Sequence, residues 1–395
     1  MYKSISLFSG AMGLDLGLEE AGFQTQVCVE NNKFCQQTIQ SNRSWLRNRD
    51  LPVLDDITEI SPKEILKVAG LKPKEVTLVS GGPPCQSFST AGRRNSIGDP
   101  RGSLFRNFIE VINVVKPRFF VMENVKGLVS AAIRHCPLKE RNKRPLEPEE
   151  ELGSAYKVVL AEIKRLGYTY VEGVLDAVNY GTPQFRERLI IIGSRDHEDI
   201  FLPIPTHFMH HQDPLYRWNT LKETIMDTEE DPGPCGRFSE ERVYYLKQVP
   251  PGGNWRNLKK KEIPVAMGGA YAAAGGKMGF YRRLDYDQPC PTLVTSPLHK
   301  GTMLCHPKHT RPLSVKEYAR IQQFPNDWGF EGSLVASYKQ IGNAVPVGLG
   351  RAIGMAIRAT INGDKTVKVK RMRGTSTHNQ YKSNNTRQRK VALSS

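Results

Sequence analysis

Long apolar runs are missing from this sequence. No stretch approaches the roughly 20 consecutive apolar residues that a membrane-crossing helix requires, so no span is expected. Its start lacks a basic cluster followed by an apolar core. Met1 to Phe8 reads instead as a strand from its second residue, and no signal peptide is expected. Cysteine is scarce: there are seven in 395 residues. None form C-x-x-C pairs or a repeated spacing, which argues against a metal site or a disulfide framework and points to a reducing cytoplasm. No internal repeat is visible.

Acidic residues are also in short supply. The chain carries 56 Lys/Arg against 40 Asp/Glu, a net charge of +16. Such an excess suits phosphate backbones, which bind basic surfaces by counterion release. Its distribution is uneven: residues 1–195 contribute +5, residues 196–310 contribute 0, residues 311–362 contribute +3 and residues 363–395 contribute +8. The last segment is polar, basic and nearly without apolar residues, so it is expected to be a disordered tail. It suits solubility or non-specific DNA attraction equally, and charge alone assigns no function.

The first half alternates strand and helix patterns and predicts a parallel α/β sheet. Expected strands are Ile5–Phe8, Val27–Glu30, Val76–Ser80, Phe119–Met122 and Arg188–Gly193. Helices are expected at Asp15–Ala21, Ser103–Val115 and Ala155–Leu166, with an exposed charged insertion at 134–151. From about residue 197 the texture turns to Pro, Gly, Tyr and Trp with weak periodicity. Helical patterns return at Ser314–Gln323 and Val347–Thr360. The expected layout is a domain of residues 1–196 completed by 311–362, a small loop-rich domain at 197–310 and the tail at 363–395.

Four constellations carry chemistry. Phe8-Ser9-Gly10-Ala11-Met12-Gly13 lies at a strand-to-helix turn, where glycines let the backbone approach a nucleotide-like ligand. Glu30, ending the second strand, can accept from ribose hydroxyls. Gly81-Gly82-Pro83-Pro84-Cys85-Gln86 follows a buried strand, so Cys85 belongs at the sheet's carboxyl edge, where α/β proteins bind ligands. The prolines restrict the backbone before the thiol. The segment behind it, with Arg93 and Arg94, reads as a loop able to close over an anion. Glu123, after a continuous apolar strand, is either a helix-capping group or a working acid. Arg186 and Arg188 alternate onto one face of an extended segment, where two guanidiniums can hold a carbonyl or phosphate and favour a thiolate. Each has a bland alternative: a structural turn, a buried cysteine, a cap, a salt-bridged strand end.

In this order, the pieces resemble the cytosine-5 DNA methyltransferase family of prokaryotic restriction-modification type. FSGAMGLDLGLEEAGF is similar to its first cofactor motif, GGPPCQSFS to its nucleophile motif, MENV to its glutamate motif and NYGTPQFRERLIIIG to its arginine motif. RPLSVKEYARIQQFP and YKQIGNAVP resemble the motifs after its target-recognition region. The likeness spans nearly all of residues 1–362 and implies a Rossmann-like S-adenosylmethionine-dependent methyltransferase domain with a small target-recognition domain. By this resemblance Cys85 would add to carbon 6 of a flipped-out cytosine. Glu123 would hold or protonate ring nitrogen 3, and Arg188 with Arg186 would contact the base carbonyl. Phe8, Gly10, Gly13, Leu14, Glu30, Asp56, Ile57, Pro83, Asn343, Ala344 and Val345 would form the cofactor wall. Gln86 and Ser89, with Arg93 and Arg94, would meet DNA. Lys259–Lys261 and Arg282-Arg283 are the obvious basic clusters of the recognition region. Met12 departs from the family's usual glycine, and its side chain is expected to turn out of the pocket.

The implied partners are double-stranded DNA and a cognate restriction endonuclease acting on the same sequence. Three rivals remain: a tRNA cytosine methyltransferase of the same fold, a nicotinamide or flavin oxidoreductase, and a non-catalytic nucleic-acid binder. The oxidoreductase leaves Cys85, Glu123 and the arginines without a task.

Overall fold

The computed structural model describes residues 1–84, 103–137, 139–141, 143–273 and 277–364. Cys85, Gln86, Ser89, Arg93, Arg94 and the 365–395 tail lie outside the described residues. Seven strands, β1 (Tyr2–Leu7), β2 (Phe23–Val29), β3 (Val53–Leu54), β4 (Leu78–Gly81), β5 (Phe119–Val125), β6 (Thr169–Asp176) and β7 (Glu187–Ser194), form one sheet in the order β3-β2-β1-β4-β5-β7-β6. The first five run parallel. β7 runs antiparallel to both β5 and β6, which corrects the expectation of a wholly parallel sheet. Only residues 177–186 join β6 to β7, and parallel neighbours need a crossover of a dozen residues or more.

Alternation along the strands builds two cores. Phe120 and Met122 face one side with Ile5, Leu7 and Ile191; Phe119 and Val121 face the other with Phe23, Ile190 and Ile192. Helix α4 (Ser103–Val115) covers the first side with Phe105, Phe108, Val111, Ile112 and Val115, and α5 (Ser154–Arg165) adds Ala155, Val159 and Ile163. Both rows follow helical spacing. On the second side, α1 (Gly13–Glu20) lies against a C-terminal helix formed by Val347–Asn362. They touch closely: a Cβ on Gly17 would sit 2.2 Å from the Val347 carbonyl oxygen and 2.4 Å from the Arg351 nitrogen. Both neighbours are backbone and cannot step aside. Gly17→Ala is therefore expected to cost about 1–3 kcal/mol, read as a lowered urea midpoint.

Helices at Lys33–Ser41 and Pro62–Val68 flank β3. The 134–151 insertion is largely exposed, as expected, but it is organised around Glu150. That carboxylate's side chain is 3% exposed and pairs with Arg144 at 2.7 Å and Arg134 at 3.6 Å.

Among the described residues between 197 and 310 the α-helices are short, at Leu221–Ile225, Glu240–Leu246 and Ile263–Met267. Phe238, Tyr245, Leu246, Val249, Met267, Tyr281 and Met303 form a core of their own. Leu221, Ile225, Leu284, Cys290, Leu293 and Leu304 instead join a cluster with Met12, Leu16 and Ile39 of the N-terminal region and Leu313, Tyr318 and Ile321. The chain then returns through Val315–Ile321 and Leu334–Asn343 to Val347–Asn362. Numbered in chain order, these helices are α2 and α3, then α6 to α11. The stretch 334–362 reaches a mean hydropathy of 1.2 over 18 residues, enough by length and composition to cross a membrane; 56% of that window is buried inside the protein. Residues 344–346 also separate α10 from α11.

Candidate active site

The carboxyl ends of β1, β2, β4 and β5 open onto one cavity of about 780 Å³. Every described residue of the sequence-derived site lines it: Phe8, Gly10, Gly13, Leu14, Glu30, Asp56, Ile57, Pro83, Glu123, Arg186, Arg188, Asn343, Ala344 and Val345.

At one end the β1–α1 turn is shaped for a close ligand. Phe8 (φ 56°), Gly10 (φ 54°) and Met12 (φ 68°) all hold left-handed backbone, a conformation that favours glycine. Met12 is fully buried in the cluster with Ala11, Leu16 and Ile39 and is absent from the cavity wall, as expected. Glu30 is fixed by two backbone donors, Gly10 N–H on Oε2 and Asn32 N–H on Oε1, both at 2.8 Å. Burial pushes its carboxyl up, and those donors oppose the shift. Each oxygen keeps a lone pair for a ligand hydroxyl. Asp56 accepts from the Thr58 backbone and hydroxyl at 2.9 and 2.8 Å, and the Thr58 bonds lower its carboxyl. A Cβ on Gly13 would lie 2.2 Å from the Val345 carbonyl oxygen, so glycine lets the C-terminal wall close on this turn.

Asp15 also lines the cavity and is 2% exposed. Burial raises it to about 7, against the opposing Ser6 and Ser80 hydroxyls. An acid whose folded value is raised stabilises most when protonated, below its ordinary carboxylate range. That contribution is lost as pH climbs from about 4 through about 7. Asp15→Asn lacks this loss. Its melting temperature is expected to gain on the wild type between pH 5 and pH 8; an unchanged difference would refute the assignment.

At the other end, Arg188 Nε meets Glu123 Oε1 at 2.7 Å, with side chains 11% and 12% exposed. The antiparallel strand makes this pair: β7 begins where the parallel strands finish, with Val125 opposite Arg188 and Glu123 opposite Ile190. A Cβ on Gly82 would lie 2.7 Å from Glu123 Oε2, so the turn leading to Cys85 presses against that carboxylate. Asn124 donates Nδ2 to the Pro83 carbonyl at 2.9 Å and ties the Pro83-Pro84 turn to the same strand end. Pro84, exposed, is the last described residue before Cys85.

Arg186 differs from Arg188. Its Nη1 donates to the Leu293 carbonyl at 3.0 Å and its Nη2 to the Gly342 carbonyl at 2.7 Å. Asn124, Asp15 and Gln322 were not singled out in the sequence; only their places inside MENV, the β1–α1 motif and IQQFP could have drawn notice. Of the basic clusters, Lys259–Lys261 is exposed. Arg283 is 5% exposed, with donors on the carbonyls of Val249 and Leu246 at 2.8 Å each. It braces the loops internally and does not offer a surface charge.

A sheet of this order, with its cavity at the carboxyl edge, is the Rossmann-like α/β fold of methyltransferases. The chain resembles a prophage-encoded protein of Escherichia coli described as a DNA modification methyltransferase, with a TM-score of 0.60, 23% identity and coverage of 92% of this chain and all of the other. It resembles DNMT2 of Spodoptera frugiperda with a TM-score of 0.59 at 16% identity, covering 91% of this chain and all of the other. In sequence it is 36% identical to the type II methyltransferase M.Sau96I of Staphylococcus aureus over 91% of this chain and 76% of that protein. It is 37% identical to M.PspPI of Psychrobacter sp. over 91% of this chain and 80% of that protein. Residues 2–359 match the C-5 cytosine-specific DNA methylase family, and the chain belongs to it. It is a DNA (cytosine-5-)-methyltransferase.

Proposed function

We propose that this enzyme moves a methyl group from S-adenosylmethionine to carbon 5 of a cytosine flipped out of a short, specific duplex sequence. The observation that carries the reading is the Glu123–Arg188 pair at 2.7 Å, set against the turn before Cys85 in the cavity that also holds Glu30 and Gly13. The cofactor end fits the group. Glu30 has acceptor capacity for the ribose, and Asp56 with Ile57 suits the adenine edge. The α1 N-terminus has no side-chain cap, and its positive end suits a carboxylate. The cofactor supplies an electrophilic methyl on a sulfonium. Cys85 adds to carbon 6 and turns carbon 5 into an enamine-like nucleophile. Glu123 bonds ring nitrogen 3 so that charge does not build on the ring, and Arg188 holds Glu123 and faces the base carbonyl. Loss of the carbon 5 proton then expels Cys85.

Residues 197–310 are proposed as the target-recognition region, with exposed Lys259–Lys261 on phosphates and loop residues on base edges. Gln86, Ser89, Arg93 and Arg94 would grip the strand around the extruded base. The type II names of the relatives suggest the modification half of a restriction-modification system, working in the cytosol beside an endonuclease of the same specificity. The test is base-resolution conversion sequencing of unmethylated genomic DNA after incubation with the enzyme and S-adenosylmethionine. Methylation at one short motif is expected. Unmodified DNA beside a methylated tRNA pool would overturn the DNA reading.

A further inference from the structure

Two arginines two residues apart reach the same cavity wall, yet only Arg188 has its partner at Glu123. Arg186 is 1% exposed and lies on backbone. Its Nε is sealed from solvent without a partner among the described residues. Both terminal nitrogens are thus anchored on backbone carbonyls, and Nε is closed off from solvent.

One of those carbonyls belongs to Gly342, in the last turn of α10 (Leu334–Asn343). The final carbonyls of a helix have no partner within it, and here they end in the protein interior. Gln322, fully buried, donates Nε2 to the Ile341 carbonyl at 2.7 Å and to the Ala344 carbonyl at 3.1 Å. A guanidinium at the negative end of a helix is favoured as well. Arg186 and Gln322 together therefore cap α10 where it runs into Asn343-Ala344-Val345.

The same joint holds a second segment. Gln184, also fully buried, accepts from the Leu293 N–H at 2.9 Å and donates to Gln322 at 3.0 Å. Thr292 Oγ1 donates to the Phe185 carbonyl at 2.6 Å. Residues 290–293 are thereby strapped along 183–186, and Arg186 closes the strap through the Leu293 carbonyl.

We propose that Arg186 is a positioning residue: with Gln184 and Gln322 it holds the 342–345 wall and the 290–293 strap in register with β7, and it makes no bond to the target base. This rests on the reading of 343–345 as cofactor wall. A base-contacting arginine matters only once DNA is present, whereas a capping arginine already matters to the cofactor pocket without DNA.

The test is calorimetric titration of S-adenosylmethionine into the full-length enzyme without DNA, for the wild type, Arg186→Met, Gln322→Met and Arg188→Met. Arg186→Met and Gln322→Met leave buried carbonyls unpaired and should weaken cofactor binding about tenfold to a hundredfold. Arg188→Met should bind within about twofold of the wild type while losing turnover. Should Arg186→Met fail to fold, Arg186→Lys, whose single ammonium cannot span both carbonyls, should give an intermediate loss. If Arg186→Met or Arg186→Lys binds cofactor like the wild type and loses only turnover on DNA, Arg186 acts on the base and the proposal is wrong. If the wild type itself fails to bind S-adenosylmethionine, the cofactor reading falls and takes this inference with it.

Discussion

Cys85→Ala is expected to abolish methyl transfer while cofactor and DNA binding survive. Carbon 5 of cytosine is too poor a nucleophile to take a methyl unaided, so loss of the adding thiolate removes the step that activates it. Removal of a nucleophile in a covalent mechanism costs on the order of 10⁴ or more in turnover. A DNA carrying 5-fluorocytosine gives an independent check. Fluorine cannot leave carbon 5 as a cation, so the wild type should remain covalently attached and survive denaturing electrophoresis; Cys85→Ala should release the DNA. Measurable turnover by the alanine variant would overturn the covalent route.

Glu123→Gln is expected to lower turnover about 10²–10⁴-fold, the range for a lost acid or base group, with little effect on DNA affinity. The glutamine keeps the shape and its amide can still donate to ring nitrogen 3. It cannot supply a proton or pair with Arg188 as a charge. Arg188→Met acts differently, because it strands the Glu123 carboxylate, whose side chain is 12% exposed, without its partner. Breaking such a buried pair costs about 3–5 kcal/mol, so this variant should lose stability as well as turnover. The double variant should recover part of that stability, since the unpaired charge has gone. A double variant no more stable than Arg188→Met would show that the pair contributes no coupling.

Much of this was readable in the residues, and the exceptions have physical causes. Strand β5 and helix α4 stand out because Phe119–Met122 is apolar throughout and 105, 108, 111, 112 and 115 repeat at helical spacing. Strand β6 escaped because it lies at the sheet's edge and is half-exposed along most of its length, so neither face carries a clean signal. The direction of β7 is a property of the short link before it, which composition does not record. Glu123, Arg188 and the residues proposed as cofactor wall were singled out as motifs, and the described ones share one cavity. The difference between the two arginines was not. Spacing of two makes Arg186 and Arg188 look equivalent, whereas which carbonyls surround each depends on 293 and 342, more than a hundred residues away.

The close seating of Gly13 against the Val345 carbonyl bears on how this enzyme is born. During translation the sheet, Glu123 and Cys85 leave the ribosome long before residues 343–345, which also line the cavity. A nascent chain halted ahead of residue 343 lacks Asn343, Ala344 and Val345, three of the residues that line the cavity. On the proposed reading of 343–345 as cofactor wall, methyl transfer is expected only from chains extended past residue 345, because the pocket draws on both the β1–α1 turn and this late segment.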